Sequence, residues 1–247
     1  MCRHLAYLGP PVPLSSLVLE PPHSLVHQSW APRDMRGGGT INADGFGIGW
    51  YTPSGPIRYR RDRPIWSDLS LPDLAGVTTS GAILAAVRSA TAGMPVVETA
   101  AAPFGDGPWL FSHNGVVAGW PSSPAKLAGT LPVTDLLTLD APTDAALLWV
   151  LVRDRLRAGA SLSEALAGVV AEVLRAAPGS RLNLLLTDGV ALAATAVGHS
   201  LSYISDFSSI TVASEPLDDR PAWRPVPDGT LLTATASDLT LTPLGEA

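Results

Sequence analysis

Charge and cysteine are both scarce in this chain. Only 15% of its 247 residues are Asp, Glu, Lys or Arg and the formal net charge is −6, with no run of Lys or Arg to supply the electrostatic footprint of a nucleic-acid binder. DNA and RNA are therefore not expected partners. Although mean hydropathy is positive, no apolar stretch approaches the ~20 residues that a bilayer-crossing helix needs. Arg3-His4 also interrupts the start, so neither a membrane span nor a secretory leader is expected. One cysteine cannot form an internal disulfide, and no Cys/His cluster has the spacing of a structural zinc site. A reducing cytoplasm suits such a chain.

What is present fits a single domain spanning residues 1–247, since that length can bury a full core. No repeat of solenoid or propeller period occurs, and Pro and Gly are scattered between short apolar runs. Strands are expected at Arg3 to Leu8, Gly45 to Tyr51, Ile83 to Arg88, Trp109 to His113, Arg181 to Thr187, Val190 to Ala196, Leu201 to Ser205, Ile210 to Ser214 and Thr230 to Ala236. Asp188-Gly189 reads as a tight hairpin. Between the early and late strands lie two amphipathic helices. The first runs from about Thr143 to Arg157; the second opens on Ser161-Leu162-Ser163-Glu164, a capping box, and stops at Pro178-Gly179. This order predicts an α+β fold of sheets with helices on their outer faces.

The solitary cysteine is Cys2, directly behind Met1. Removal of Met1 would join a thiol and a free α-amine in one residue. An α-amine titrates near ~8, so it can take the thiol proton much as a His does. By residue type alone a lone Cys is more often a small buried hydrophobe, but chain termini seldom build a core.

Three loop segments carry further chemistry. Asn42-Ala43-Asp44-Gly45-Phe46-Gly47-Ile48-Gly49-Trp50-Tyr51 places alternating glycines in a strand, which permits close backbone approach but lacks the strand-to-helix turn of a dinucleotide site. It reads as scaffold first. Arg88, at the end of an apolar strand in Arg88-Ser89-Ala90-Thr91, needs either an internal ion pair or a substrate carboxylate, and both fit its planar fork. In His113-Asn114-Gly115 an amide and a backbone N–H can aim at one developing oxyanion, yet Asn-Gly is also an ordinary turn. His113 itself reads as a structural side chain.

Taken in order, Met1-Cys2-Arg3-His4, Arg88-Ser89-Ala90-Thr91, Ser112-His113-Asn114-Gly115 and Ala213-Ser214-Glu215-Pro216 resemble the class II, N-terminal-nucleophile glutamine amidotransferases. The resemblance implies a four-layer αββα sandwich in which Cys2 attacks a γ-glutamyl carbonyl. It also implies that Asn114 and Gly115 hold the oxyanion, that Arg88, with Thr91, grips the α-carboxylate, and that Asp144 meets the α-ammonium group. Asp144 has an alternative as a helix cap. Ser214-Glu215 would be structural support.

Within the family the likeness, nearly end to end, is to the ergothioneine-biosynthesis hydrolases that release glutamate from γ-glutamyl-hercynylcysteine sulfoxide. It extends through Pro21-Pro22-His23, Gln28-Ser29-Trp30-Ala31-Pro32-Arg33 and Asn42-Ala43-Asp44-Gly45. Arg3 and Ser89 stand where ammonia-producing relatives carry Gly and Trp, and Ala102-Pro103-Phe104 lacks their common His. A stand-alone amidohydrolase using no metal or organic cofactor is expected; the alternatives are a glutaminase subunit feeding a separate synthetase, or a non-catalytic γ-glutamyl-binding protein. For the leaving group, whose trimethylammonium favours aromatic faces and carboxylates, the candidates are Trp30, Tyr51 and Asp44. Both aromatics could equally be core residues.

Overall fold

Alternation along the first strand lays out the layers of the molecule. Leu5 and Tyr7 point to one side and Ala6 and Leu8 to the other, and all four are buried, so apolar material covers both faces of this strand. The computed structural model describes residues 2–34, 36 and 41–245. In chain order the strands are β1 (Arg3–Pro13), β2 (Phe46–Thr52), β3 (Gly55–Arg61), β4 (Thr79–Val87), β5 (Phe104–Asp106), β6 (Trp109–Val116), β7 (Arg181–Thr187), β8 (Leu192–Ala196), β9 (Ser202–Ser205), β10 (Ile210–Ala213), β11 (Arg224–Pro225), β12 (Thr230–Ala234) and β13 (Leu239–Pro243). The α-helices are α1 (Ser15–Val18), α2 (Leu25–Gln28), α3 (Leu71–Val77), α4 (Ala125–Ala128), α5 (Val133–Leu137), α6 (Asp144–Arg157) and α7 (Leu162–Ala176).

Two sheets result, a 7-stranded one in the order β11-β9-β10-β1-β4-β2-β3 and a 6-stranded one in the order β13-β12-β8-β7-β6-β5. Their strand pairings are antiparallel. Between them lies an apolar layer built from Ala6, Leu8 and Leu84 of one sheet and Leu110, Leu185 and Leu232 of the other. The outer face of the 6-stranded sheet, through Phe111, Leu184 and Leu186, packs on Trp149 and Val152 of α6 and Leu166 and Val170 of α7. The outer face of the 7-stranded sheet, through Leu5, Phe46 and Ile83, packs on Leu17, Leu25 and Leu71 of the short helices. The fold is thus a four-layer αββα sandwich of the kind found in N-terminal-nucleophile hydrolases. Each fully buried Leu in these layers contributes roughly 1.5–3 kcal/mol.

Local sequence explains the clearest elements. Ser161 accepts the Glu164 N–H while the Glu164 carboxylate accepts the Ser161 N–H, which completes the expected capping box of α7. Between β7 and β8, Asp188 Oδ1 accepts the N–H groups of Val190 and Ala191 at 2.9 and 2.8 Å, so the hairpin turns over 188–191 rather than over Asp188-Gly189 alone. Helices cover both outer faces, as the order of elements predicts, but they are unevenly divided. Both long helices lie on the same outer face, and the opposite face is covered by short helices that carry too few residues to show a helical period.

The glycines of β2 find their reason here. A Cβ on Gly47 would overlap the carbonyl oxygen of Ala102, and one on Gly49 would lie 2.7 Å from Leu110 Cδ1. Their absence lets the two sheets close together next to the entry of β5. Among the described residues, no helix is long and apolar enough to cross a membrane.

Candidate active site

Sheet register brings three separate strand termini to one place. Val87, the last residue of β4, pairs with Arg3 at the start of β1 and with Phe46 at the start of β2, so Cys2, Arg88 and Gly45 are neighbours. The Cys2 thiol points at the Ser89 carbonyl oxygen, 3.7 Å from Sγ. Arg88 is buried and its Nη1 donates to the main-chain oxygens of Asp44 and Pro95, at 3.3 and 2.9 Å. Among the described residues no carboxylate forms a salt bridge with Arg88. A buried guanidinium satisfied only by carbonyls on one side keeps its charge available to an anion.

Cys2 and Arg88 open into a cleft that Thr91, His113, Gly115, Thr143 and Asp144 also line. Asp144 enters from the start of α6. Its carboxylate accepts the Val117 N–H at 2.9 Å and the Ala145 N–H at 2.8 Å, and Thr143 caps the same helix end. Asp144 is therefore a first-turn acid of α6, stabilised by the positive end of the helix dipole. It nonetheless retains lone pairs, since a carboxylate offers about four acceptor positions and two are used.

Strand β6 sorts the residues around the expected oxyanion. His113 and Gly115 line the cleft, whereas Asn114, on the alternate face, lies between the sheets and is fully buried. Asn114 Nδ2 donates to Ser214 Oγ at 3.2 Å, while its Oδ1 is buried without a partner. Gly115 is confined by packing: a Cβ there would overlap the Arg181 carbonyl, which is also 3.1 Å from His113 Nε2. His113 is thereby held to main chain, as a structural side chain would be.

Behind the cleft runs a polar seam that sequence reading did not resolve. His4 Nδ1 lies 3.2 Å from Ser112 Oγ, and its Nε2 is buried without a partner. Burial, reinforced by His113, Arg3 and His199, holds the His4 pKa well below the usual imidazole range. His199 is pushed down to about 4 by burial and by Arg181, whose Nε–H donates to His199 Nε2 at 3.0 Å. Both imidazoles are neutral at pH 7. Arg3, 1% exposed, is also held below its usual range by burial, with Glu215 and Asp34 opposing the shift. It donates to the main-chain oxygen of Asp34, and Glu215 accepts the N–H groups of Arg33 and Asp34 at 3.0 to 3.1 Å. Arg3 and Glu215 thus tie the 33–34 segment to the residue after Cys2. The only prior signal for Ser214 and Glu215 was the motif Ala213-Ser214-Glu215-Pro216.

The remaining candidates separate. Asp44 does not line the cleft; its carboxylate accepts the Ala90 N–H at 2.8 Å and shapes the turn that carries Arg88. Tyr51 is a correction to the expected cluster. It sits at the far end of β2, about 16 Å along the strand from Phe46, and its hydroxyl hydrogen-bonds the main-chain oxygens of Pro108 and Thr187. Trp30 is 43% exposed and meets Trp66, 41% exposed, edge to face at 5.7 Å. The exposed partner Trp66 was not anticipated. Met1, whose removal the sequence reading expects, lies outside the described residues. Among the described residues no group of three His, Cys, Asp or Glu is placed to hold a metal.

Comparison with known proteins bears on this arrangement. Residues 16–208 match the family described as glutamine amidotransferases class-II. The chain is 41% identical over 245 residues to a gamma-glutamyl-hercynylcysteine sulfoxide hydrolase of Mycolicibacterium smegmatis, covering 99% of this chain and 100% of that protein. It is 41% identical over 249 residues to the protein of the same name from Mycobacterium tuberculosis, covering 100% and 98%. A solved glutamine aminotransferase class-II domain protein from Silicibacter pomeroyi superimposes with a TM-score of 0.71 at 25% identity, over 98% of this chain and 99% of that one. With Cys2 in a cleft lined by strand ends of both sheets and by the start of α6, and with these matches along nearly its whole length, the chain belongs to the class II glutamine amidotransferases.

Proposed function

We propose that this chain is an amidohydrolase that cleaves the γ-glutamyl amide of γ-glutamyl-hercynylcysteine sulfoxide, within one domain spanning residues 1–247. The products are glutamate and hercynylcysteine sulfoxide. The observation that carries the reading is the convergence of Cys2, Arg88, Gly115 and Asp144 on one cleft, in a chain matched end to end by hydrolases of that name.

In this mechanism Met1 is removed and the Cys2 α-amine accepts the thiol proton. The thiolate attacks the γ-carbonyl carbon, and negative charge moves to the carbonyl oxygen, where the Asn114 amide and the Gly115 N–H stabilise it. Collapse breaks the C–N bond as the α-ammonium protonates the departing nitrogen, leaving a γ-glutamyl thioester. Water, deprotonated by the same amine, attacks the thioester, and a second collapse returns the thiol and releases glutamate. Arg88 and Thr91 hold the α-carboxylate. The free lone pairs of Asp144 face the α-ammonium group. Trp30, together with Trp66, receives the trimethylammonium of the leaving half, and Asp44 acts indirectly by fixing the Arg88 turn. The substrate is a small molecule, and a reducing cytoplasm keeps the thiol free.

Comparing glutamine with γ-glutamyl-hercynylcysteine sulfoxide as substrates tests the proposal. The sulfoxide is expected to turn over with much the higher kcat/KM, and Cys2→Ala to abolish turnover while still binding it. A γ-glutamyl electrophile should add covalently to Cys2 in a protein whose intact mass lacks Met1. Faster turnover of free glutamine would instead support a glutaminase subunit, and an active protein retaining Met1 would overturn the amine's role.

A further inference from the structure

Ser214 follows β10 and is fully buried where the two sheets meet. Its main-chain N–H donates to the His4 carbonyl at 2.9 Å, and the His4 N–H donates back to Ser214 Oγ at 3.0 Å. The hydroxyl is thereby pinned two residues along β1 from Cys2. It has one hydrogen to give. As placed, that hydrogen goes to the His4 carbonyl, at a long 3.3 Å and already paired with the Ser214 N–H, while Asn114 Nδ2 donates to the hydroxyl across the sheet interface.

A half-turn of the Asn114 amide decides which use is made of it. With Nδ2 on Ser214 Oγ, the hydroxyl only accepts from Asn114, and Asn114 Oδ1 is left buried and unpaired. An oxygen turned toward the proposed oxyanion would repel it. After the half-turn, the hydroxyl hydrogen goes to Oδ1, the orphaned atom is satisfied, and the amide N–H₂ occupies the space that Oδ1 held. The His4 carbonyl loses nothing essential, because the Ser214 N–H still serves it.

We infer that Ser214 is a positioning residue for the reaction: by donating its hydroxyl hydrogen to Asn114 Oδ1, it selects the amide orientation that presents N–H to the oxyanion. This rests on the reading of Asn114 as an oxyanion donor. Ser214 touches no reacting atom and works only through Asn114.

Steady-state kinetics on γ-glutamyl-hercynylcysteine sulfoxide with Ser214→Ala, Asn114→Ala and the double variant test it. Ser214→Ala is expected to lower kcat about tenfold or more with KM changed by no more than about twofold, the pattern of an interaction made in the transition state. Once Asn114 is alanine, removing Ser214 Oγ should cost nothing further. Binding separates positioning from general damage. In a Cys2→Ala background, Ser214→Ala should bind the sulfoxide substrate as tightly as Cys2→Ala alone does by calorimetry. Multiplied losses in the double variant, or binding weakened in step with kcat/KM, overturn the inference. A neutral Ser214→Ala beside a damaging Asn114→Ala overturns it alone, whereas a neutral Asn114→Ala overturns the oxyanion reading as well.

Discussion

The space between the two sheets has an apolar part and a polar part that follow different rules. Around Leu8, Leu84, Leu110, Leu185, Leu192 and Leu232 it is hydrocarbon, every side chain nearly or fully buried and packed across the interface. Toward Cys2, β1, β6 and β7 carry His4, Ser112, Asn114 and Asn183, and adjoining loops carry His199 and Ser214, all similarly buried. Here His4 Nε2, His199 Nδ1 and Asn114 Oδ1 have no partner. An unpaired buried polar atom costs about 1–3 kcal/mol, so the polar part sacrifices stability that the apolar part restores. The proposed oxyanion site falls where the packing is least favourable, because such a site needs donors held dry before the substrate arrives.

That contrast predicts a division of mutational effects. Leu185→Ala should destabilise the fold by about 2–5 kcal/mol through a cavity in the apolar part, measured by urea unfolding, while kcat per folded molecule stays near wild type; a large loss of kcat would show that the two parts are not separable. Asn114→Ala should do the reverse, lowering kcat on the order of a hundredfold or more with little change in stability, since in either orientation the amide bonds Ser214 through one atom and leaves the other buried without a protein partner. A variant that unfolds readily would contradict this. Arg88→Lys, which keeps the charge but loses the fork, should raise KM on the order of tenfold, with a smaller change in kcat. Equal kinetics would separate Arg88 from the substrate carboxylate.

Acid should act on the polar part first. His199 has a folded-state pKa of about 4 and an unfolded one near 6.5, so the unfolded chain binds the extra proton between those values and stability falls as pH falls through that window. The shift amounts to about 1 kcal/mol between pH 7 and 5.5 for His199 alone, and His4, lowered in the same direction, adds to it. Urea midpoints at the two pH values measure this, and a flat response would mean that both imidazoles charge freely in the folded state.

Legibility in the sequence tracked length and periodicity. The capping box and the repeating Leu and Val residues of α7 were readable because a helix of that length repeats its apolar stripe. Helices α1 and α2, each of 4 residues, repeat nothing. Strand β3 was not anticipated: its Arg58, Tyr59, Arg60 and Arg61 lie on a sheet edge, where charge replaces apolar alternation. Prolines at positions 10, 11 and 13 hid the end of β1, and β5 is only 3 residues long.

The candidate site divides in the same way. Cys2, Arg88, Gly115 and Asp144 were named from motifs and do share a cleft, while Tyr51 belongs to the right strand but to its wrong end. Residue type and order along the chain are enough to nominate a candidate nucleophile, a guanidinium beyond an apolar strand and an acid at a helix start, because those are local properties. Which of them meet is set by sheet register, and that depends on the packing of two whole sheets. Only the tertiary structure therefore placed Ser214 against Asn114 and left Asn114 with one atom unpaired.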